Sequence, residues 1–300
     1  VSFLEATLHL DVFLGSLKQT LKTALIQQNF DTLSPFKLKI GQQDFYLIIN
    51  FQSDIFLLEF EPQLIQHDIQ GQIGSSVSEI LGGKKLNVLL GNAAMEVKNL
   101  IGYDRVMIYK FAEDDHGEVV SEVKNDDLDP FLGLHYPATD IPKPARALYL
   151  KNLVRLIADV HTSNADILSN TNEALDLTKS QLRAVSPIHV QYLKNMGVAS
   201  SFSISIIAHG RLWGLIACHN YTPRFIDIKA RHGAKLIGQI LSSAIEYRQD
   251  EEDTERNTQF KDAANELVLN LNKDISIVDA LTKFPTTLQD VNNSAGAAII

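Results

Sequence analysis

The chain has 300 residues, of which 45% are hydrophobic and 21% charged, enough apolar material for two or three domain cores and too much for a disordered chain. A net charge of −9 disfavours nucleic acids and anionic membranes as partners. A single cysteine, Cys218, excludes an internal disulfide framework and is typical of the cytoplasm, while no apolar run approaches the roughly 20 residues that cross a bilayer.

Residues 1–68 are predicted to form a small α/β unit. Two apolar, β-rich stretches flank residues 52–54 and end at Pro62, a pattern that predicts a β-hairpin. A polar, glycine-bearing stretch follows, and we place a linker at residues 69–85. Because the first residue is not Met and the last residues form an apolar run, we expect a fragment of a longer protein.

Residues 86–247 are predicted to form an α+β domain with the order helix, strands, helix, hairpin, helix. Apolar residues recur at helical spacing over residues 86–101. Two strands follow around the turn at residues 112–115, and the proline-rich loop HYPATDIPKPAR leads into a short helix. The strand VRLIADV and a hairpin about His209 and Gly210 complete the predicted sheet.

The C-terminal region, residues 248–300, is predicted to continue a long helix out of the central domain. Neither glycine nor proline occurs from Gln239 to Phe284, so one uninterrupted helix is expected there. Such a helix also suggests a homodimer, with the long helices pairing between protomers.

Several enzyme signatures are absent from the sequence. It contains no G-x-x-x-x-G-K, no G-x-G-x-x-G, no G-x-S-x-G and no Cys/His spacing suited to zinc. Cys218 and His219 are neighbours, but successive strand residues point to opposite faces, so the two cannot share a ligand. Cys218 is therefore interpreted as a buried core thiol.

Polar side chains at structured positions suggest a binding pocket. Arg155 lies in an apolar strand, and Arg183 precedes a predicted helix in which His189 and Tyr192 are one turn apart. The two arginines would suit a carboxylate. Aromatic residues that could clamp a flat conjugated body are also present, namely Tyr109, Phe111, Tyr136 and Tyr149.

A strand with one serine face adds to this pattern. Ser201, Ser203 and Ser205 alternate with apolar residues, so their face should meet water or a polar ligand. Each signal also has a plain structural explanation, because strand arginines commonly pair with nearby carboxylates and lone histidines are commonly structural. The residues alone therefore predict only a pocket for a flat, carboxylated ligand.

The segment from about Leu86 to Arg224 resembles the chromophore-binding GAF domain of phytochromes. The motifs PATDIP, SPIHVQYLKNMGV and LWGLIACH carry the resemblance. Residues 1–68 are similar to the later part of the family's PAS domain, and residues 248–300 to a long connecting helix and the start of its PHY domain. The implied fold is α+β, with a PAS-like remnant followed by a GAF domain whose antiparallel sheet is flanked by helices.

The resemblance implies that the GAF domain binds a linear tetrapyrrole (bilin), either biliverdin or, as the alternative, phycocyanobilin. Asp140 would offer its backbone carbonyl to the pyrrole N–H groups, near which His189 would also hydrogen-bond. Ile141 and Pro142 would shape the pocket. The residues implied to hold the two propionates are Tyr149, Arg155, Arg183, Ser201 and Ser203. The residues implied around the D ring are His219, Tyr109, Tyr136 and Tyr192.

The sequence departs from part of the family at the attachment position. Plant-like and many cyanobacterial phytochromes carry a covalent bilin anchor, a cysteine, immediately before the histidine, where this chain has Ile188. Bacteriophytochromes instead attach biliverdin to a cysteine upstream of the PAS domain, which we expect to precede residue 1. The residue at 188 favours the biliverdin class, with no evident covalent anchor in this chain.

The resemblance implies a red/far-red light sensor and not an enzyme. Isomerisation of the bilin would signal along the long helix to an output domain outside this chain, with a kinase and its response regulator as downstream partners. Two alternatives stay open: the front end of a sensor histidine kinase, and a GAF module for another small ligand such as a cyclic nucleotide. The PATDIP and SPIHVQYL segments argue against the second.

Overall fold

A computed structural model of the chain divides into two compact units, Val1–Leu241 and Ser242–Ile300. The predictions that concern residues 1–33 lie outside the described residues. Within the described part, no helix is both long and apolar enough to span a bilayer. The residues that the structure describes are 34–52, 55–64, 74, 76–80, 82, 85–168 and 175–292.

The first unit contains a small antiparallel sheet of three strands in the order β1-β2-β3. The predicted hairpin is formed by β2 and β3, which pair from Phe45 opposite Pro62 to Gln52 opposite Ile55. Its turn, residues 53–54, lies outside the described residues. The strands are β1 (Phe36–Ile40), β2 (Gln43–Gln52) and β3 (Ile55–Pro62).

The predicted linker at residues 69–85 is partly helical where it is described. Residues 76–80 are α-helical, and Ser76 and Ile80 are buried. The Ser76 hydroxyl also hydrogen-bonds the Glu96 carboxylate. These residues are therefore packed against the domain that follows, because a helical turn can bury an apolar side chain that an extended spacer would expose.

The larger sheet has six antiparallel strands in the order β6-β5-β4-β9-β8-β7. Together with its helices it confirms the predicted α+β class. Both residues of the β8–β9 turn, His209 and Gly210, have positive φ angles of 50° and 70°, as a two-residue hairpin turn requires. The elements are α1 (Leu86–Ile101), β4 (Arg105–Phe111), β5 (Gly117–Lys124), β6 (His135–Tyr136), α2 (Lys143–Lys151), β7 (Val154–Ile157), α3 (Pro187–Asn195), β8 (Ser200–Ala208) and β9 (Arg211–Asn220).

One face of this sheet forms the main hydrophobic core. Val106, Phe202 and Cys218 occupy paired positions on adjacent strands and are fully buried. Helix α4 (Ile228–Leu271) packs on the same face at Gly238, where an added Cβ would lie 2.5 Å from the Cγ2 atom of Ile204. The opposite face is left for the candidate site, and the alternation of β9 separates Cys218 from His219 as predicted.

The long helix begins upstream of the predicted glycine- and proline-free stretch and ends before it does. It starts at Ile228 and contains Gly238, which serves close packing and does not interrupt the helix. It ends at Leu271, before the predicted end at residue 284. Ser276 caps the next helix by accepting a hydrogen bond of 3.1 Å from the Asp279 N–H, which fixes a new helix start. That helix is α5 (Ile277–Thr282), and α6 (Leu288–Asn292) follows it.

Candidate functional site

The candidate site is a cavity over the face of the six-stranded sheet that does not form the main core. Its empty space, with the open mouth included, is about 690 Å³. Cross-strand partners share a sheet face, and three neighbouring strands, β4, β9 and β8, supply the floor. The floor residues are Met107, Tyr109, Leu215, Ala217, His219, Ser201 and Ser203.

The walls come from β5, β6, the proline-rich loop and two helices. Pro142 directly precedes α2 and has an extended backbone, so the loop stays irregular up to that point. A hydrogen bond of 3.0 Å from the Asp140 N–H to the Pro137 carbonyl closes a turn within it. The wall residues are Val119, Tyr136, Asp140, Ile141, Tyr149, His189, Tyr192, Leu193 and Met196.

Aromatic rings give the cavity its shape. The ring centroids of Tyr109 and Tyr136 are 5.9 Å apart, and His189 and Tyr192 stack with an interplanar angle of 11°. The Tyr109 ring lies over Gly117, where an added Cβ would be only 1.8 Å from its Cζ atom. Glycine at this position therefore lets the tyrosine occupy the cavity floor.

Most of the predicted site residues meet at this cavity, and four stand apart from its lining. Pro142 adjoins Ile141, and Arg155 pairs with Ser203 across β7 and β8. Arg183 lies in the loop before α3, and the side chain of Ile188 is 83% exposed. The predicted residues that line the cavity are Tyr109, Tyr136, Asp140, Ile141, Tyr149, His189, Tyr192, Ser201, Ser203 and His219.

Several lining residues were not predicted from the sequence. Some lie at alternate positions of β4 and β9, two residues from Tyr109 or His219, so strand alternation could have identified them. Ser205 lies on the same face and was predicted to meet water or a ligand. It is instead buried, and its hydroxyl donates a 2.7 Å hydrogen bond to the Tyr149 carbonyl under α2. The additional lining residues are Met107, Val119, Leu193, Met196, Leu215 and Ala217.

Two arginines bring positive charge to one side of the site. Arg155 points to the same sheet face as its partner Ser203, and among the described residues no acceptor reaches its buried Nε. Arg183 is half-buried and donates from Nη1 to the Ser180 carbonyl at 2.6 Å. Burial and the nearby Arg155 both lower the pKa of Arg183. The pair is suited to an anion, which would relieve the repulsion between them.

Both histidines of the cavity are electrically neutral near pH 7. Burial, reinforced by Arg105, lowers the pKa of His219 to about 4. Burial and Arg155 lower the pKa of His189 to about 4 as well. The buried Nδ1 atom of His219 has no hydrogen-bond partner among the described residues. An unpartnered atom of this kind can form a hydrogen bond with a polar group that enters the cavity.

The tyrosines keep their hydroxyl protons over the same pH range. Burial, with smaller contributions from Asp140 and Tyr136, raises the pKa of Tyr109 to about 12. Burial also raises the pKa of Tyr192, and Asp140 adds to the effect. These side chains can therefore act as hydrogen-bond donors to a flat ligand between them.

The depressed pKa of His219 predicts a loss of stability in acid. The unfolded histidine binds a proton below about pH 6.5 whereas the folded one does so only below about 4, so the free energy of unfolding falls as pH drops between these values. We expect His219→Gln to lessen this fall by about 1–3 kcal/mol in urea titrations at pH 7 and pH 4. The exposed His161→Gln is the control, and equal pH dependence in both variants would contradict the prediction.

The cavity has no recognisable metal set, and its neighbouring thiol is inert. Among the described residues, no group of three or more His, Cys, Asp and Glu side chains could hold a metal ion. Cys218 is fully buried on the opposite sheet face, and burial raises the pKa of its thiol. A protonated, inaccessible thiol is a poor nucleophile.

Comparison with known proteins identifies the domain that contains this cavity. The family model of the GAF domain matches residues 85–245. The chromophore-binding domain of Stigmatella aurantiaca phytochrome P1 is 34% identical, with a TM-score of 0.71 over 76% of this chain and 80% of that one. The chain belongs to the phytochrome family. The resemblance predicted from its three motifs is thus confirmed.

Other phytochromes extend the match beyond the GAF domain. The photosensory core module of the Stigmatella aurantiaca phytochrome is 30% identical, with a TM-score of 0.80 over 92% of this chain and 57% of that one. Cyanobacterial phytochrome B of Nostoc sp. is 34% identical over 93% of this chain. The chain spans 39% of the length of that curated relative and 30% of the length of the bacteriophytochrome of Pseudomonas aeruginosa.

Proposed function

We propose that this chain is the light-sensing part of a photoreceptor and binds a bilin in the cavity over its sheet. Biliverdin is the first choice and phycocyanobilin the alternative. The observation that carries the proposal is the arginine pair, Arg155 and Arg183, beside an aromatic cavity lined by His219, whose Nδ1 has no partner among the described residues. A bilin combines the two features that this site would match, a flat conjugated body and carboxylate side chains.

The propionates would be held at the positively charged side of the site. Charge-assisted hydrogen bonds from arginine to carboxylate are the strong ones in proteins, and the unpartnered Nε of Arg155 is available for one. Ser201 and Ser203 could donate from the cavity floor and Tyr149 from the wall. With this assignment, the propionates would supply the negative charge that balances the guanidinium groups of Arg155 and Arg183.

The pyrrole nitrogens would lie against the proline-rich loop and α3. The backbone carbonyl of Asp140 would accept hydrogen bonds from them, and His189, neutral near pH 7, could offer one nitrogen as donor or acceptor. Ile141, which lines the cavity, and the adjoining Pro142 would shape the pocket beside them. When bound, the bilin would supply visible absorption and a double bond that isomerises in light.

The remaining lining residues would surround the ring that rotates. The unpartnered Nδ1 of His219 fits a hydrogen bond to a polar group of the ligand. The Tyr109, Tyr136 and Tyr192 rings pack around the same space, so a rotation would change contacts with all of them. We propose that such a change shifts the population between two states and reaches an output domain through α4.

The proposal also covers the location of the protein in the cell and its partners. A cytoplasmic photoreceptor with a downstream kinase, a response regulator and a second copy of this chain as partners would suit the family. A visible absorption spectrum after mixing with biliverdin tests the core of the proposal. A new red band that changes under red light supports it, whereas an unchanged biliverdin spectrum would leave a GAF module for another ligand.

The arginine pair yields the next prediction. Each charge-assisted contact with a propionate is worth about 1.5–3 kcal/mol, so Arg183→Ala and Arg155→Ala should each weaken biliverdin binding by roughly 10-fold to 100-fold. Fluorescence quenching titrations would measure the Kd. Arg211→Ala, at an exposed position of the β8–β9 hairpin, is the matched control. Unchanged affinity in both single variants would remove these arginines from the site.

A further inference from the structure

A glutamate of the small sheet contacts the loop that carries Arg183. Glu59 lies on β3 and is 8% exposed. Its Oε1 atom accepts hydrogen bonds from the Ser180 hydroxyl at 2.6 Å, the Gln181 N–H at 3.1 Å and the Leu182 N–H at 3.3 Å. One carboxylate thus holds three consecutive residues that are more than a hundred positions away in the sequence.

Arg183 closes the same turn with a hydrogen bond from its own side chain. Its Nη1 donates to the carbonyl of Ser180, the residue whose hydroxyl binds Glu59 most closely. The turn from Ser180 to Arg183 is therefore closed by its own guanidinium and fixed from outside by the carboxylate. A buried carboxylate that accepts several hydrogen bonds is a rigid support, because each partner would lose its bond if the turn moved.

The charge of Glu59 matters as well as its hydrogen bonds. Burial and Arg155 disfavour the charged form of Arg183 and lower its pKa, whereas the negative charge of Glu59 acts in the opposite direction. Without Glu59, two like charges would face each other in a partly dry site. The turn would then be less tightly fixed, and the Arg183 side chain could move away from Arg155.

We propose that Glu59 is a positioning residue for the anion-binding side of the site: by fixing residues 180–182, it keeps the Arg183 guanidinium beside Arg155. This inference rests on the proposed bilin function. It makes the affinity for a carboxylated ligand depend on a side chain that lies outside the cavity, in the three-stranded sheet.

Other hydrogen bonds also hold the segment around residues 178–181. They make it possible to distinguish a positioning role of Glu59 from a general role in folding. Lys179 donates to the Phe51 carbonyl at 2.9 Å, and Asn152 donates to the Thr178 carbonyl at 2.9 Å. The side chain of Gln181 accepts from Arg231 Nε at 3.1 Å. These bonds hold the segment in place when Glu59 is changed, so the loss should be confined to the turn itself.

The test compares biliverdin with its dimethyl ester, in which both carboxylates are masked. Glu59→Gln should raise the Kd for biliverdin by about tenfold, the worth of one charge-assisted contact, and should change the Kd for the diester less than about twofold. In an Arg183→Ala background the same substitution should have little further effect on biliverdin. Such non-additivity would show that the two residues act together.

Two further variants keep the test decisive. Ser180→Ala removes the shortest of the three bonds and leaves the charge of Glu59, so it should weaken biliverdin binding by a smaller factor and spare the diester. Asp44→Asn, an exposed acid-to-amide change on β2 of the same sheet, is the matched control and should not discriminate between the two ligands. Equal losses for acid and diester in Glu59→Gln and Ser180→Ala would overturn the positioning role. A parent protein that binds neither ligand would instead refute the proposed function.

Discussion

Arg231→Met should lower the free energy of unfolding by about 3–5 kcal/mol, the usual result of removing one partner of a buried ion pair. Arg231 and Glu61 are both fully buried. Nη1 of Arg231 donates to Oε2 of Glu61 at 2.9 Å, and Nη2 donates to Oε1. The guanidinium also binds the Ile226 carbonyl and the Gln181 side chain, so its loss leaves a carboxylate and two further acceptors without donors.

The loss should depend on pH in a defined direction. Burial already raises the pKa of Glu61, and Arg231 is the main influence that lowers it. Without the arginine, the folded state should hold a proton on Glu61 at higher pH than the unfolded state does. Stability of the variant is then present at low pH and is lost as pH rises through the folded pKa. The destabilisation should therefore be smaller at pH 5 than at pH 8 in urea titrations.

Two variants serve as controls for this prediction. Arg248→Met breaks a more exposed pair with Glu251 in the second unit and should cost less than about 1 kcal/mol. Combining Arg231→Met with Glu61→Leu removes both charges and should recover most of the loss. If Arg231→Met cost no more than Arg248→Met, the pair would not be essential for joining the small sheet to the larger domain.

The buried ion pair marks a limit of prediction from the sequence. Alternation along β8 and β9 is a local property, so the opposite facings of Cys218 and His219 could be predicted from a few residues. Glu61 and Arg231 are 170 positions apart, and neither lies in a motif. Their pairing depends on how the small sheet packs against α4, which no local pattern encodes. Glu59 was missed for the same reason.

The long helix shows how a local rule can give way to packing. Glycine costs about 1 kcal/mol inside a helix, yet the observed helix contains Gly238. The structure places this glycine against Ile204, where an added Cβ would lie 2.5 Å from the Cγ2 atom and would force a shift. The end of the helix was predictable in principle, because a serine followed three residues later by an acidic residue, Ser276 and Asp279, is a helix start signal.

Whether the proposed bilin is attached covalently can be argued from the positions of the available thiols. A thioether requires a thiol within bonding reach of the bilin, and Cys218 is the one cysteine of these 300 residues. It is fully buried on the core face of β9, and burial raises its pKa, so the reactive thiolate is suppressed. Ile188, on the first turn of α3, is 83% exposed and directly precedes His189, which lines the cavity. A thiol at position 188 would be both accessible and next to the site.

We therefore predict that this chain binds biliverdin or phycocyanobilin without a covalent bond, and that Ile188→Cys converts phycocyanobilin binding from wholly reversible to covalent. Zinc-induced bilin fluorescence on a denaturing gel would show the adduct as a labelled band. Lys194→Cys, also exposed on α3 but farther along it, is the matched control and should give no band. A fluorescent band from the unmodified chain would mean that the bilin can reach Cys218. That result would contradict the burial of Cys218 on the core face of β9. Normal bilin absorption without a band in Ile188→Cys would show that the bilin does not approach the start of α3, and the assignment of His189 to the pyrrole nitrogens would fail with it.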